Sequence, residues 1–285
     1  MYFDPSDWFE EEVDLYDEYE QSAETRVLEI ISQQQVVTDR ELKVRLEREF
    51  FPWVTGRALK KLVDGGSVRL VKAPGRKGRM GTPDNFYMDP SLQYYDILPT
   101  LLRKKDVSYL INSQLTRAAP AGFFAEEVFG SAFISLGFKI LDRDASTFGE
   151  KNVKSVRGKE PPNLDFILRK NEVTYGVDIK NWIKYEFDTV RDVMFKVSLS
   201  LQLGIIPFIC ARYVDKSAIH KVAQNGGMIY RYDTLILPPD LASLARNATA
   251  LLGYPILASN TLPDYKLSFI NRLHDRMKRI LSQKK

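Results

Sequence analysis

The chain has 285 residues and a mass of 32.8 kDa, enough for two domains at roughly 100–200 residues each. With 44% apolar and 27% charged residues it has the composition of a folded globular protein, not of a disordered or fibrous one. A single cysteine (Cys210) and two histidines (His220, His274) exclude a disulfide framework and a Cys-rich zinc site, so any catalysis falls to carboxylates and lysines. No stretch approaches the ~18 uncharged apolar residues of a membrane span, and the acidic N-terminus does not read as a signal peptide. The expectation is a cytoplasmic protein with no membrane partner.

The net charge of +4 hides an asymmetry. Residues 1–23 form an acidic segment interleaved with Tyr2, Phe3, Trp8, Phe9, Tyr16 and Tyr19; up to Glu24 there are ten acids and no base. The rest of the chain carries 41 bases against 27 acids, a balance that suits a polyanion. Aromatics are sparse in merely solvating tails. The segment is therefore expected to dock on a basic surface and compete with nucleic acid there; a solubilising tail or a dimer contact is the competing reading.

Three short helical patterns follow. Residues 24–34 carry Val27, Leu28, Ile30 and Ile31. Thr38 and Glu41 spell a capping box ahead of Leu42, Val44 and Leu46. Thr55 is expected to cap a third helix that buries Ala58, Leu59, Leu62 and Val63 and stops at Gly65-Gly66. Next come a strand at 67–71 with Val68 and Leu70 inward, a Gly/Pro loop over 72–81, and a strand at 85–88.

This order resembles a winged helix over residues 24–90. The resemblance implies a recognition helix with Arg57, Lys60 and Lys61 in the major groove of DNA, and a basic wing with Lys72, Arg76, Lys77 and Arg79 on the backbone. Winged helices also serve as protein–protein modules. Residues 91–119 read as a helical connector.

From residue 120 to 285 the pattern becomes α/β. A helix over 121–136 ends at Gly137 and leads into a strand at 138–141. A long polar loop, 142–163, carries Lys151, Lys154, Arg157 and Lys159, which are expected to touch nucleic-acid backbone. Strands at 164–168 and 173–182 are joined by a tight turn. Then come a helix (188–203), a strand (207–213), a helix (216–224), a strand (228–232) and two terminal helices (238–252 and 264–283). The order predicts a mixed β-sheet flanked by helices on both faces. The last helix pairs an apolar stripe (Leu267, Ile270, Leu273, Met277, Ile280) with Lys266, Arg272, Arg276, Lys278, Arg279, Lys284 and Lys285. It is expected to pack on this domain, pair with a second copy, or help hold DNA.

Charges interrupt two of the apolar strands. Asp165 lies in Asn163–Leu168, and Asp178 and Lys180 lie in Tyr175–Trp182. Alternation puts Asp178 and Lys180 on one face and Ile179 on the other. Isolated buried charges cost several kcal/mol each, roughly. A divalent cation held by the two carboxylates and the Ile179 carbonyl would offset that cost, and hard oxygen ligands suit Mg²⁺ or Mn²⁺. Lys180 would then stand beside the attacking water or the scissile phosphate. An exposed edge-strand ion pair is the competing reading.

The spelling Asp-x12-Asp-x-Lys across a hairpin resembles the PD-(D/E)XK nuclease superfamily over about 121–232. The stretch from Ala125 to Phe138 is similar to the first helix of archaeal Holliday-junction resolvases. A leucine, Leu164, stands where the family often has proline. The helix's apolar stripe (Ala125, Val128, Phe129, Ala132, Phe133, Leu136) puts Glu126 on its flank and Glu127 opposite. Glu126 is thus the acid expected to reach the cation, directly or through water. Lys196 and Gln202 resemble positions of phosphate contact in some members, but a solvated helix face is the favoured reading for both. The resemblance implies a metal-dependent DNA endonuclease of restriction or defence type, with junction resolution or repair next. A DNA-binding regulator using a nuclease-like domain only to dimerise is the reading from another class.

Overall fold

The computed structural model describes residues 6–74, 85–114, 120–153, 162–183 and 187–283, with backbone alone at 6–17, 120 and 187–189. The chain divides into two compact units. The first is Met1–Ser113 with Asn247–Tyr254, and the second is Gln114–Arg246 with Pro255–Lys285.

The first unit opens with one 29-residue helix, α1 (Ser6–Gln34). From Ser6 on, the acidic segment and the first predicted helix are therefore continuous, and Tyr19, Ala23, Val27 and Ile31 of this helix pack into the same core. After β1 (Val36–Val37) comes α2 (Asp39–Leu46), capped as expected by Thr38, whose hydroxyl accepts from Glu41 N–H at 3.1 Å. The Glu41 carboxylate is fully buried and meets the buried Lys104 ammonium at 2.8 Å. Lys104 also donates to the Val36 carbonyl at 2.7 Å. Helix α3 (Pro52–Asp64) starts before the expected cap. Pro52 fixes the first helical φ, Phe51 stands at the N-cap, and Thr55 is buried inside the helix.

Strands β2 (Arg69–Lys72) and β3 (Asn85–Met88) pair antiparallel, with β1 on the other side of β3. Val68 is buried as expected, but Leu70 is 42% exposed, and it is the next residue, Val71, that packs with Phe86, Met88, Ile97 and Leu101. Helix α4 (Tyr94–Gln114) carries Lys104 and buries Ile97, Leu101 and Ile111.

The second unit is a three-layer α/β arrangement. Its elements are α5 (Pro120–Ser135), β4 (Lys139–Ala145), β5 (Thr147–Phe148), β6 (Lys151–Asn152), β7 (Leu164–Lys170), β8 (Val173–Lys180), α6 (Phe187–Gln202), β9 (Ile206–Ala211), α7 (Lys216–Gln224), β10 (Met228–Arg231), β11 (Leu235–Leu237), α8 (Ala242–Leu252), whose residues from Asn247 on belong to the first unit, β12 (Ile256–Ala258) and α9 (Asp264–Ser282). The main sheet has the order β10-β9-β8-β7-β4. Pairing is antiparallel from β4 through β8 and parallel from β8 through β10, the mixed sheet that the element order predicts.

One face of the sheet buries Tyr175, Val177 and Ile179 with Phe129 and Phe133 of α5 and with Ile270 and Met277 of α9. The other face meets α6 and α7 through Val193, Val197, Ala218 and Val222. The terminal helix thus packs on its own unit, and Lys266, placed on its basic side by the sequence, is buried and donates to Tyr232 O at 2.5 Å. The expected long loop begins late, since β4 runs on to Ala145 past a bulge at Ile140/Asp142, and a short hairpin, β5–β6, follows it. The parallel pair β11–β12 had no sequence signal. Among the described residues no helix is long and apolar enough to cross a membrane.

Candidate active site

The site lies where β7 and β8 part. Their ladder runs from Lys170↔Val173 to Phe166↔Val177. Beyond it, the N–H of Ile179 donates at 2.5 Å to the carboxylate of Asp165. Strict alternation breaks at the same point, since Leu164 and Ile167 both pack towards α6, while Phe166 and Leu168 face α5. On β8, Asp178 and Lys180 point to the α6 side, and Ile179 points into the opposite core, as alternation requires. Helix α6 comes close because Gly176 has no side chain; a Cβ there would sit 2.6 Å from Ser200 Oγ.

Asp178 is fully buried, and each of its oxygens meets an ammonium group. Lys180 Nζ lies 3.0 Å from Oδ2, and Lys196 Nζ, from α6, lies 2.7 Å from Oδ1. Lys180 is shared with Asp192 of α6, also at 3.0 Å, and Lys196 donates to the Asn163 carbonyl at 2.6 Å. Burial works against the charge on Lys180, but Asp178 and Asp192 outweigh it and hold the amine above its ordinary pKa.

Asp165 is pushed up to about 8, first by burial and then by Asp178, with Glu126 adding to it. The half-buried Glu126 is raised by burial and by the charges of Asp144 and Asp178. Buried Cys210, whose residue pairs with Ile179 across β8–β9, is raised by burial and then by Asp165 and Asp178. The charge of Asp178 thus opposes ionisation of both Asp165 and Glu126, while two lysines meet Asp178 itself.

The four residues predicted to carry chemistry (Glu126, Asp165, Asp178 and Lys180) fall in one electrostatic neighbourhood. The helix phase also holds: Ala125, Val128, Phe129, Ala132 and Phe133 are buried, and Glu127 is exposed and paired with Arg143. Sequence reasoning missed Asp144 and Asp192. It also set Lys196 on a solvated face, whereas Lys196 pairs with the buried Asp178. Gln202 is exposed, as is His220. Lys196 lies 18 residues beyond Asp178, so only the packing of α6 could reveal the pair.

Of the expected nucleic-acid contacts, Arg57, Lys60 and Lys61 are exposed on α3, Lys72 is exposed at the end of β2, and Lys151 is exposed on β6. Two of the α3 bases already meet acids of α1: Arg57 meets Glu20 at 2.9 Å and Lys61 meets Glu24 at 2.6 Å. Arg76, Lys77, Arg79, Lys154, Arg157 and Lys159 lie outside the described residues.

The donor set Asp165, Asp178, Glu126 and the Ile179 carbonyl consists of hard oxygens, the kind that Mg²⁺ or Mn²⁺ takes. Among the described residues, no three His, Cys, Asp or Glu side chains are grouped around one ion position as the chain stands. The fit rests on charge. The Asp178 charge raises both Asp165 and Glu126, and a divalent cation is the partner that would favour their charged forms. No family model, curated protein or solved structure matches the chain.

Proposed function

We propose that this protein is a metal-dependent DNA endonuclease of the PD-(D/E)XK type with an N-terminal winged helix. The observation that carries the reading is Asp178: a fully buried carboxylate between two lysines, at a strand fork shared with Asp165 and Glu126. Carboxyls whose ionisation is opposed by burial and by a neighbouring charge, gathered with a specific cationic partner, mark candidate catalytic sites.

Asp165 and Asp178 would hold Mg²⁺ or Mn²⁺ with the Ile179 carbonyl, and Glu126 would join through water. When bound, the ion supplies Lewis-acid stabilisation of the phosphate and a more acidic water. Lys180, kept cationic by Asp178 and Asp192, donates to the charge that develops on the phosphoryl oxygens. Lys196 holds Asp178 in place through its second oxygen. The α5–β4–β7–β8–α6–β9 succession, with β8 central in a mixed sheet, supports the nuclease part. The succession α1, β1, α2, α3, β2, β3 supports the winged helix.

Purified protein incubated with plasmid DNA is expected to cut it with Mg²⁺ or Mn²⁺ and to leave it intact with a chelator. DNA bound tightly but never cut, with either metal, would favour the regulator reading.

DNA binding is expected to run through α3 and the wing. Beside the sequence-dependent loss expected of Lys60→Ala on α3, Lys72→Ala should weaken binding on all sequences alike. It should also reduce the slope of log K against log salt by about 0.9 per lost phosphate contact. An unchanged slope in fluorescence-anisotropy titrations would move these lysines to a protein-binding role.

The Glu20–Arg57 and Glu24–Lys61 pairs place acids where DNA phosphates would bind in this reading. Glu20→Gln with Glu24→Gln is expected to tighten DNA binding several-fold at ~50 mM salt, with the gain shrinking as salt screens the pairs. Substitution is the right test here, because removing residues 1–22 would also remove Tyr19 from the core. Equal or weaker binding by the double variant would mean that these pairs serve helix packing alone.

A further inference from the structure

The end of β8 is fastened by a side chain with no part in the chemistry so far. Asn181 follows Lys180 directly, and its amide is used at both ends. Its Oδ1 accepts from Ile236 N–H at 2.9 Å and from the Tyr232 hydroxyl at 3.3 Å. Its Nδ2 donates to the Ile236 carbonyl at 2.7 Å and to the Ala121 carbonyl at 3.2 Å. Bonding both the N–H and the C=O of one residue is what a neighbouring strand's peptide unit does. The amide thus continues β8 sideways onto β11 at the point where pairing with β9 ends, Lys180↔Ala211.

The remaining donor bond reaches the first turn of α5, the helix that presents Glu126. The surrounding backbone is held the same way. Tyr232 Oη and Arg212 N–H both donate to the Lys180 carbonyl at 3.0 Å, and Arg212 Nε donates to Trp182 O at 2.7 Å.

We infer that Asn181 is a positioning residue that sets the separation between Glu126 on α5 and the Asp178–Lys180 pair on β8. The inference rests on the nuclease reading above. The position requires an acceptor and two donors on a short arm, which asparagine alone supplies: aspartate lacks the donors, and glutamine is a methylene longer.

The test uses Asn181→Asp in the full-length protein, which keeps the size and the acceptor and removes both donors. Three results are expected. Single-turnover cleavage falls about 10–100-fold while DNA affinity stays within about twofold, the range seen when an outer residue stops orienting a site. In a Glu126→Gln background the same change costs less than about threefold, because both substitutions damage one arrangement. Backbone amide exchange across 121–129 speeds up, a readout that needs no catalysis.

Losses that multiply in the double variant, or unchanged exchange in α5, overturn the proposal. Wild-type protein that binds DNA but never cuts it removes the nuclease reading instead, and the exchange arm then decides the placement by itself. If Asn181→Asp does not fold, Tyr232→Phe is used in its place. It removes the one hydroxyl proton shared between the Lys180 carbonyl and the Asn181 amide oxygen, and is expected to give the same pattern in milder form.

Discussion

Lys180→Ala is expected to lower metal-dependent DNA cleavage by about 10²–10³-fold, the usual cost of removing one donor aimed at developing negative charge. DNA affinity should change little, since the ammonium is partly buried between Asp178 and Asp192 and adds little to the exposed basic surface. The two carboxylates hold the amine cationic well into the alkaline range, so the loss should be uniform from pH 6 to pH 9. Single-turnover rates on a labelled duplex, with binding measured separately, separate the two effects. Cleavage that survives the substitution would falsify the assignment of Lys180. A proportional loss of binding and cutting would make it a DNA-contact residue.

Asp165→Asn is expected to stabilise the protein at high pH, less so as pH falls, and to change little near pH 4. The folded state holds the Asp165 proton up to about 8, against an ordinary value of 3.8, because burial and Asp178 disfavour the charge. A carboxyl raised in this way makes the folded state bind more protons than the unfolded one, so stability falls as pH rises through that window. Each tenfold difference in proton affinity between the folded and unfolded states is worth about 1.4 kcal/mol. Because Asp165 does not titrate alone, a single substitution recovers only part of this, about 1–3 kcal/mol at pH 9. Asparagine imitates the protonated acid and removes the fall. Thermal melts at pH 4 and pH 9 should show the variant's Tm rising above wild type by several degrees only at pH 9. Added Mn²⁺ should raise the wild-type Tm at pH 9 and leave the variant's almost unmoved. Parallel pH curves for the two proteins would mean that Asp165 ionises freely.

The site was legible because charges are costly in strands. Asp165, Asp178 and Lys180 stand out against the apolar neighbours that the sheet buries, and a 3.6-residue period was enough to tell Glu126 from Glu127. Features fixed by distant parts of the chain were not legible. The pairing of Lys196 with Asp178 needs α6 folded back over β8, and the reach of Asp144 needs β4 to run past its bulge. Local rules also competed. Pro52 at the first helical position set the start of α3 ahead of Thr55, and the buried Lys104 took up the Glu41 carboxylate that the capping-box spelling assigned to the helix end. Three-residue strands such as β11 are too short to leave a period, so the partner of Asn181 could not be read.

Gly176 sets how freely this site could change over generations of mutation. It stands two residues before Asp178, and any side chain there would meet Ser200 Oγ at 2.6 Å and Leu164 Cδ1 at 2.7 Å. Ser200 lies one turn beyond Lys196 on the same helix, so whatever pushes Ser200 outward also carries Lys196 away from Asp178. The motif is therefore a five-residue unit, Gly-Val-Asp-Ile-Lys, in which the residue with no functional group decides whether the second lysine arrives. Swapping the charged residues would alter the chemistry and keep the scaffold, whereas enlarging the glycine would keep every charged group and dismantle their meeting place.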